Sequence, residues 1–560
     1  MTAASPPQQS PTTRHRANGL WRWQTPAWLV ALLVALPVLS VFYLALFPKE
    51  NIWSHLAETV LPVYITTTLG LMIGVGVLAV GTGVLTAWLV TMCRFPGKRF
   101  FEWALMLPFA VPAYVIAYVY TDLLEYAGPV QTTLRALFGW QSARDYWFPE
   151  IRTLGGAILM LAFVLYPYVY LLVRASFLEQ SNSLRDASRL MGCSPLQSFF
   201  RISLPIARPA IAVGLALVSM ETINDFGTVD FFAVKSMSAG IYDTWLNMGN
   251  LGGAAQIASL MMIFVVTLIV LERLARAKQK QFNATDRFKA LDTYKLQGTR
   301  AALAWLICAT PIVLGFILPV IILGQYALQH LDQLDSEDFF TYAGNSFFLS
   351  VSAALITIII ALLLAYSKRL YQHKSLAGAA NFASLGYAMP GAVLAIGVII
   401  PLAAFDNSID SFMRQQFGIS TGLLLSGTTF AIIFAYSVRF LAVSTGAVEG
   451  SLNKITPTMD MASRSLGMTP LQTLFKVHLP LIRGSILSAG LVVFVDCMKE
   501  LPATLILRPF NYDTLATFVY QFASDEMLEE CSLAALLIVA VGIIPVILLS
   551  RTITATRAEN

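Results

Sequence analysis

Apolar runs of the length that crosses a bilayer as a helix, roughly 20 residues, recur along almost the whole chain. Six lie in the first half: Trp28–Phe47, Val63–Leu89, Phe101–Tyr120, Gly155–Leu172, Ile206–Met220 and Ala254–Leu271. Six more follow at Leu303–Leu323, Ser346–Leu364, Leu376–Leu402, Gly422–Leu441, Ile486–Leu507 and Leu533–Leu549, the eleventh with charges embedded in it. Lipid offers no partner for backbone N–H and C=O groups, so runs of this kind satisfy them internally as helices. The composition agrees: 57% of the 560 residues are hydrophobic and 12% charged, against about 25% charged in soluble domains. The expected fold class is an all-α polytopic membrane protein of about 12 transmembrane helices. No stretch between runs is long enough to bury a core of its own, so the chain works within the membrane.

Basic residues sort the connections by side, because Lys and Arg gather on cytoplasmic loops. Arg94, Lys98 and Arg99, then Arg174, Arg185, Arg189 and Arg201, then Arg273, Arg276, Lys278 and Lys280 fall on every second loop. Lys368, Arg369 and Lys374, and later Lys454, Arg464 and Lys476, continue the series. The opposite set is more acidic, with Asp332, Asp335, Glu337 and Asp338 in one loop and Asp525, Glu526, Glu529 and Glu530 in another, although Arg135, Arg144, Arg152 and Arg414 fall there too. Residues 1–26 are rich in Ser, Thr, Pro and Gln and carry Arg14, Arg16 and Arg22. They read as a disordered cytoplasmic tail, not a cleaved signal, and residues 552–560 read as a second cytoplasmic tail. The net charge of +5 is spread over alternate loops, which topology explains and nucleic-acid binding does not. The five cysteines lie far apart and form no C-x-x-C pair, the usage of buried structural thiols.

One polar sentence is written twice. Asp186–Pro205 reads DASRLMGCSPLQSFFRISLP and Met461–Pro480 reads MASRSLGMTPLQTLFKVHLP, in register at an offset of 275 positions, with ten of nineteen residues from Ala to Pro identical. Ser194, Pro195 and Gln197 supply an N-cap, a proline at the first helical position and a capping-box partner; Thr469, Pro470 and Gln472 repeat them. Leu184–Met191 is expected to form a short helix ended by Gly192, the residue that most easily takes the left-handed C′ conformation, and Gly467 serves the second copy. Each copy is therefore a helix, a tight turn and a helix. The spacing places Leu196, Phe199 and Phe200 on one face, matched by Leu471, Leu474 and Phe475. An interfacial helix has no need of a copied turn with intact caps, so these read as two docking elements for a cytoplasmic partner. The duplication extends further, since AVPAYVIA (Ala110–Ala117) answers AMPGAVLA (Ala388–Ala395) and Phe138-Gly139 answers Phe417-Gly418. About six spans per half make the copies parallel repeats, over residues 27–272 and 301–551, joined by a basic cytoplasmic linker at 273–300.

Ala187, Gly192, Ile202, Leu204 and Pro205 stand at the spacing of the EAA loop, E-A-A-x(3)-G-x(9)-I-x-L-P, and the chain resembles the membrane subunits of ABC importers (type I). The second copy fits through Ala462, Gly467, Val477, Leu479 and Pro480. Asp186 and Met461 replace the Glu, and Ser188 and Ser463 the second Ala. The resemblance implies that loops 184–205 and 459–480 are coupling loops seated on an ATPase subunit through Asp186, Ala187, Gly192, Leu196, Phe200 and Pro205, and through Ala462, Gly467, Leu471, Phe475 and Pro480. The stretches ETINDFGTVDFF (Glu221–Phe232) and KELPATLILRPFNYDTLATFVY (Lys499–Tyr520) further resemble fused ferric-iron permeases. Fused thiamine permeases and phosphonate-type permeases are similar. The resemblance implies two copies of a cytoplasmic ATPase, a periplasmic ferric-binding protein, a bacterial inner membrane and surrounding lipid, with both termini cytoplasmic.

No G-x-x-x-x-G-K-[ST] stretch occurs, so ATP and Mg would be handled by the partner and no cofactor by this chain. No catalytic triad or metal-hydrolase spacing is present either. A proton-coupled secondary transporter is the rival class, and duplicated docking loops argue against it. The span after each loop carries carboxylates at a four-residue spacing: Glu221 with Asp225 and, 275 positions on, Asp496 with Glu500. An ionisable group in a span costs at least roughly 2.5–3.5 kcal/mol on insertion scales. Either these groups cap broken helices or pair with bases such as Lys499, or they line a passage that favours a cation.

Overall fold

The computed structural model describes residues 11–178, 180, 190–192, 194–279, 294–371, 373–383, 386 and 389–558. Eleven of its helices are long and apolar enough to cross a membrane. The pair Lys98–Ala110 and Ala113–Phe138, bent by 88°, meets the same length and composition requirement when taken together, as a broken span or a re-entrant loop. The break falls at Pro112, which has no N–H to donate and excludes its neighbour Val111 from helical geometry. Pro390 stands in the matching place of the second repeat, between helices Lys374–Ala383 and Gly391–Phe417, so the run expected over Leu376–Leu402 is two helices. Both outer arms end alike: Gly139 at φ +71° and Gly418 at φ +68° take the left-handed conformation.

Three further expectations are corrected. Helix Pro11–Leu46 begins well inside the segment assigned to a disordered tail; once a span has nucleated a helix, adding polar residues to its end costs little. The run Ile486–Leu507 is interrupted, with one helix ending at Met498 and a short one starting at Pro502. The second helix of each elbow does not stand apart from the span that follows, because Pro195–Asn224 and Pro470–Met498 are each continuous. The only strand pairing among the described residues joins Cys93–Arg94 to Tyr294–Lys295.

The chain divides into two compact units. The larger comprises residues 41–348, 390–396 and 498–560. Its centre is the contact of Leu61–Met92 with Leu154–Leu178, joined by Pro195–Asn224. Small residues permit the close approach: a Cβ on Gly83 would stand 2.8 Å from Val169 Cβ, and one on Gly214 only 3.0 Å from Val169 Cα. Without a hydrophobic drive between helices in lipid, such packing is a main source of association. Thr299–Gln329, the first helix of the second repeat, belongs to this unit, where Tyr120 Oη donates to the Leu314 carbonyl at 2.7 Å. The smaller unit comprises residues 1–40, 349–389 and 397–497. There the chain's first helix meets second-repeat helices: Trp28 Nε1 donates to Ser375 Oγ at 2.9 Å, and Gly397 would bring a Cβ to 2.4 Å from the Pro37 carbonyl. Each repeat has thus given its first helix to the unit built mainly by the other.

Candidate functional site: two elbows and four carboxylates

The capping boxes form in both copies. Gln197 N–H donates to Ser194 Oγ at 3.3 Å and Ser194 N–H to Gln197 Oε1 at 2.9 Å; Thr469 and Gln472 repeat both distances. Gly192 at φ +74° and Gly467 at φ +76° make the left-handed turns. After one helical turn the backbone widens, with Leu204 N–H bonding the Phe199 carbonyl and Leu479 N–H the Leu474 carbonyl. The cause is the proline that follows. Pro205 and Pro480 offer no N–H and their rings crowd the carbonyl four residues back, and a five-residue turn relieves that clash without breaking the helix.

One face of each elbow remains uncovered. Leu196 is 63% exposed and Phe200 62%, while Leu471 is 54% and Phe475 61%. Met191 and Leu466, at the turns, are exposed as well. The expected third member of each face points inward: Phe199 is buried with its ring 5.3 Å from that of Trp88, and Leu474 is buried too. Positions i+3 and i+4 stand about 100° apart around a helix, so the edge of the exposed face passes between them. Ala462 is exposed on helix Pro457–Ser465, and Met461 lies bare beside it. Asp186 and Ala187 lie outside the described residues. Repeated apolar side chains held bare on rigid, capped polar turns are the signature of an interaction surface.

The carboxylates divide into two kinds. Asp225 ends helix Pro195–Asn224 and accepts from Thr228 N–H at 3.1 Å, Thr228 Oγ1 at 3.0 Å and Val229 N–H at 3.2 Å, starting the short helix Gly227–Phe231. Glu500 does the same for Pro502–Leu507, accepting from Ala503 N–H at 3.0 Å, Thr504 N–H at 3.1 Å and Thr504 Oγ1 at 2.8 Å. The backbone donors are again 275 positions apart, while the hydroxyl comes from the first donor residue in one copy and the second in the other. Glu221 and Asp496, one turn earlier, are half-buried and take no part in these caps. Lys499 holds its ammonium 4.5 Å from the Phe109 ring centroid.

Residues 79–280 match the family described as binding-protein-dependent transport system inner membrane component. That segment, a little over a third of the chain, is similar to this family of membrane transport components. Over 537 residues it is 26% identical to an Fe(3+)-transport system permease protein of Haemophilus influenzae, a match covering 94% of this chain and 98% of the relative. A sulfate transport system permease protein of Synechococcus elongatus is 28% identical over 217 residues, 37% of this chain and 72% of the relative. A molybdenum transport system permease protein of Escherichia coli is 26% identical over 206 residues, 36% of this chain and 86% of the relative.

In this permease the second elbow is fastened by groups that the sequence did not announce. Arg369 Nε donates to Asp460 Oδ2 at 3.0 Å and its Nη2 to the Ile455 carbonyl at 2.9 Å. Asp460 Oδ1 lies 2.6 Å from Nε2 of the buried His478, and Tyr366 Oη donates to the Pro470 carbonyl at 2.6 Å. The first elbow has Ser203 where His478 stands, and there Gln180 Nε2 donates to the Ser203 carbonyl at 3.1 Å. Asp460→Ala removes the partner that Arg369 and His478 share and is expected to destabilise the second elbow by about 1–3 kcal/mol. Hydrogen–deuterium exchange should rise over 457–480, while Ser203→Ala leaves exchange at the first elbow nearly unchanged. Equal exchange in Asp460→Ala and wild type would remove the fastening role.

Proposed function

We propose that this chain is the membrane-spanning subunit of an ATP-driven importer that carries Fe(III) received from a soluble binding protein outside the cytoplasm. The observation that carries the substrate is the reach of the Haemophilus influenzae Fe(3+) permease match, 94% of one chain against 98% of the other. The sulfate and molybdenum permeases match little more than a third of this chain. General likeness among transport permeases accounts for that shorter match, whereas the match to the iron permease runs through both repeats of this chain.

In this reading the exposed faces of the two elbows are the coupling surfaces, with Leu196 and Phe200 on one and Leu471 and Phe475 on the other. Each receives one copy of a cytoplasmic ATPase, which binds ATP and Mg. An even number of spans then leaves both termini on the cytoplasmic side, where the basic loops lie. A proton-coupled carrier has no use for two capped elbows bearing matched apolar faces.

The test is reconstitution in liposomes with the ATPase and the iron-loaded binding protein. Uptake of radioactive iron should require both and ATP inside. Uptake driven by a proton gradient without ATPase would sink the proposal. Because one chain supplies both elbows, native mass spectrometry of the minimal active complex should give one permease to two ATPases. Two copies of this chain in that complex would contradict the assignment of both coupling surfaces to one polypeptide.

A further inference from the structure

Within the larger unit, the helix Ala113–Leu124 that follows the break at Pro112 turns two tyrosines to one buried face. Tyr114 and Tyr118 are i and i+4, with ring centroids 5.8 Å apart, and only 5% and 1% exposed. Neither phenol oxygen has a hydrogen-bond partner among the described residues. A buried hydroxyl left in this state costs about 1–3 kcal/mol, and such groups call for an explanation. Packing alone supplies none, since phenylalanine would fill the same space without the penalty.

The surroundings supply one. The Tyr118 ring packs 4.5 Å from Phe231, on the short helix started by Asp225. The preceding residue, Asp230, accepts from Tyr520 Oη at 2.6 Å. Three phenols and a carboxylate thus lie within a few contacts of one another where two helices are broken, Tyr118 beside Tyr114 and against Phe231, and Tyr520 on the neighbouring Asp230. The cation beside them is already neutralised: Arg152 lies 4.7 Å above the Phe231 ring and is ion-paired with both Glu125 and Glu526.

We propose that Tyr118, Tyr520 and Asp230 form an all-oxygen site that holds the ferric ion in transit, with Tyr114 beside it. This rests on the ferric reading above. Hard, highly charged cations favour anionic oxygen ligands, and three of them balance a trivalent ion. On binding, the Tyr118 and Tyr520 phenols each give up a proton to water and join the Asp230 carboxylate; iron stays ferric, and the site's charge with the ion sums to zero. The orphaned Tyr118 hydroxyl is the ligand held ready. The Tyr520–Asp230 hydrogen bond keeps the other two in place while the site is empty.

The experiment uses the purified permease with its ATPase in lipid nanodiscs, titrated with ferric citrate. Phenolate bound to Fe(III) gives a charge-transfer band in the visible, which the wild-type complex should develop and Tyr118→Phe should largely lose. Losing an outer-shell partner alone costs 10–100-fold in metal affinity, so loss of this ligand should lower binding-protein-dependent iron uptake at least about tenfold. Thermal stability and ATPase stimulation in Tyr118→Phe should stay at or above wild type, because an unsatisfied hydroxyl has gone. No band in wild type, or full uptake by both Tyr118→Phe and Tyr520→Phe, overturns the site while wild-type iron uptake leaves the ferric reading standing. Absence of iron uptake by wild type overturns that reading and the site with it.

Discussion

Valine at both Gly192 and Gly467 is expected to remove most of the ATPase stimulation by loaded binding protein while the membrane helices stay folded. Both glycines hold φ near +75°, at +74° and +76°, and a Cβ added at either would meet nothing within 4 Å. The penalty is therefore confined to the backbone. It amounts to roughly 1–2 kcal/mol for an L-residue in the left-handed region, with a β-branched one at the unfavourable end. At 1.4 kcal/mol per tenfold, each elbow should present its face about 5–30-fold less often in the competent geometry. Single variants keep one good surface and should be milder. Asparagine tolerates this conformation, so Gly192→Asn with Gly467→Asn serves as the control and should retain most of the stimulation. Undiminished stimulation in the double valine variant would mean that the elbows are not the coupling surfaces.

These elbows were legible because short-range chemistry dictates them. Ser194 with Gln197, the glycine before them and the proline eleven residues after the serine act within a few turns of chain, and an in-register second copy repeats each signal. The widened turn before Pro205 had a readable cause as well, the missing N–H. What the sequence concealed is non-local. Asp460 meets Arg369 across 91 positions, and nothing in the text around either residue points to the other. The compact units were equally hidden, since each repeat contributes its first helix to the unit of the other while the order of apolar runs stays the same. Phe199 was misplaced for a finer reason: periodicity gives the direction of a face but not its edge. The four carboxylates lay in between. Their spacing was visible, but telling a cap from a pathway group required the donors, Thr228 and Val229 or Ala503 and Thr504.

That division predicts two separable phenotypes. Asp225→Ala and Glu500→Ala each strip the start of a buried short helix of its acceptor. A lost N-cap costs about 0.5–2 kcal/mol and hydrogen bonds to a charged group about 1.5–3 kcal/mol, so each variant should lose about 2–3 kcal/mol and melt several degrees earlier. Asp225→Asn and Glu500→Gln keep an oxygen acceptor and should recover part of that loss. Glu221→Gln with Asp496→Asn is different, because these groups sit one turn before the caps and supply none of the caps' hydrogen bonds. If the negative potential they place in the span attracts a trivalent cation, removing it should lower iron uptake per folded permease by about tenfold, with Tm almost unmoved and ATPase stimulation retained. Uptake and Tm measured on the same preparations decide the matter. Normal uptake in the Glu221/Asp496 pair would end its pathway role. A fall in uptake that tracks a fall in Tm would assign that pair, too, to holding the broken helices in place.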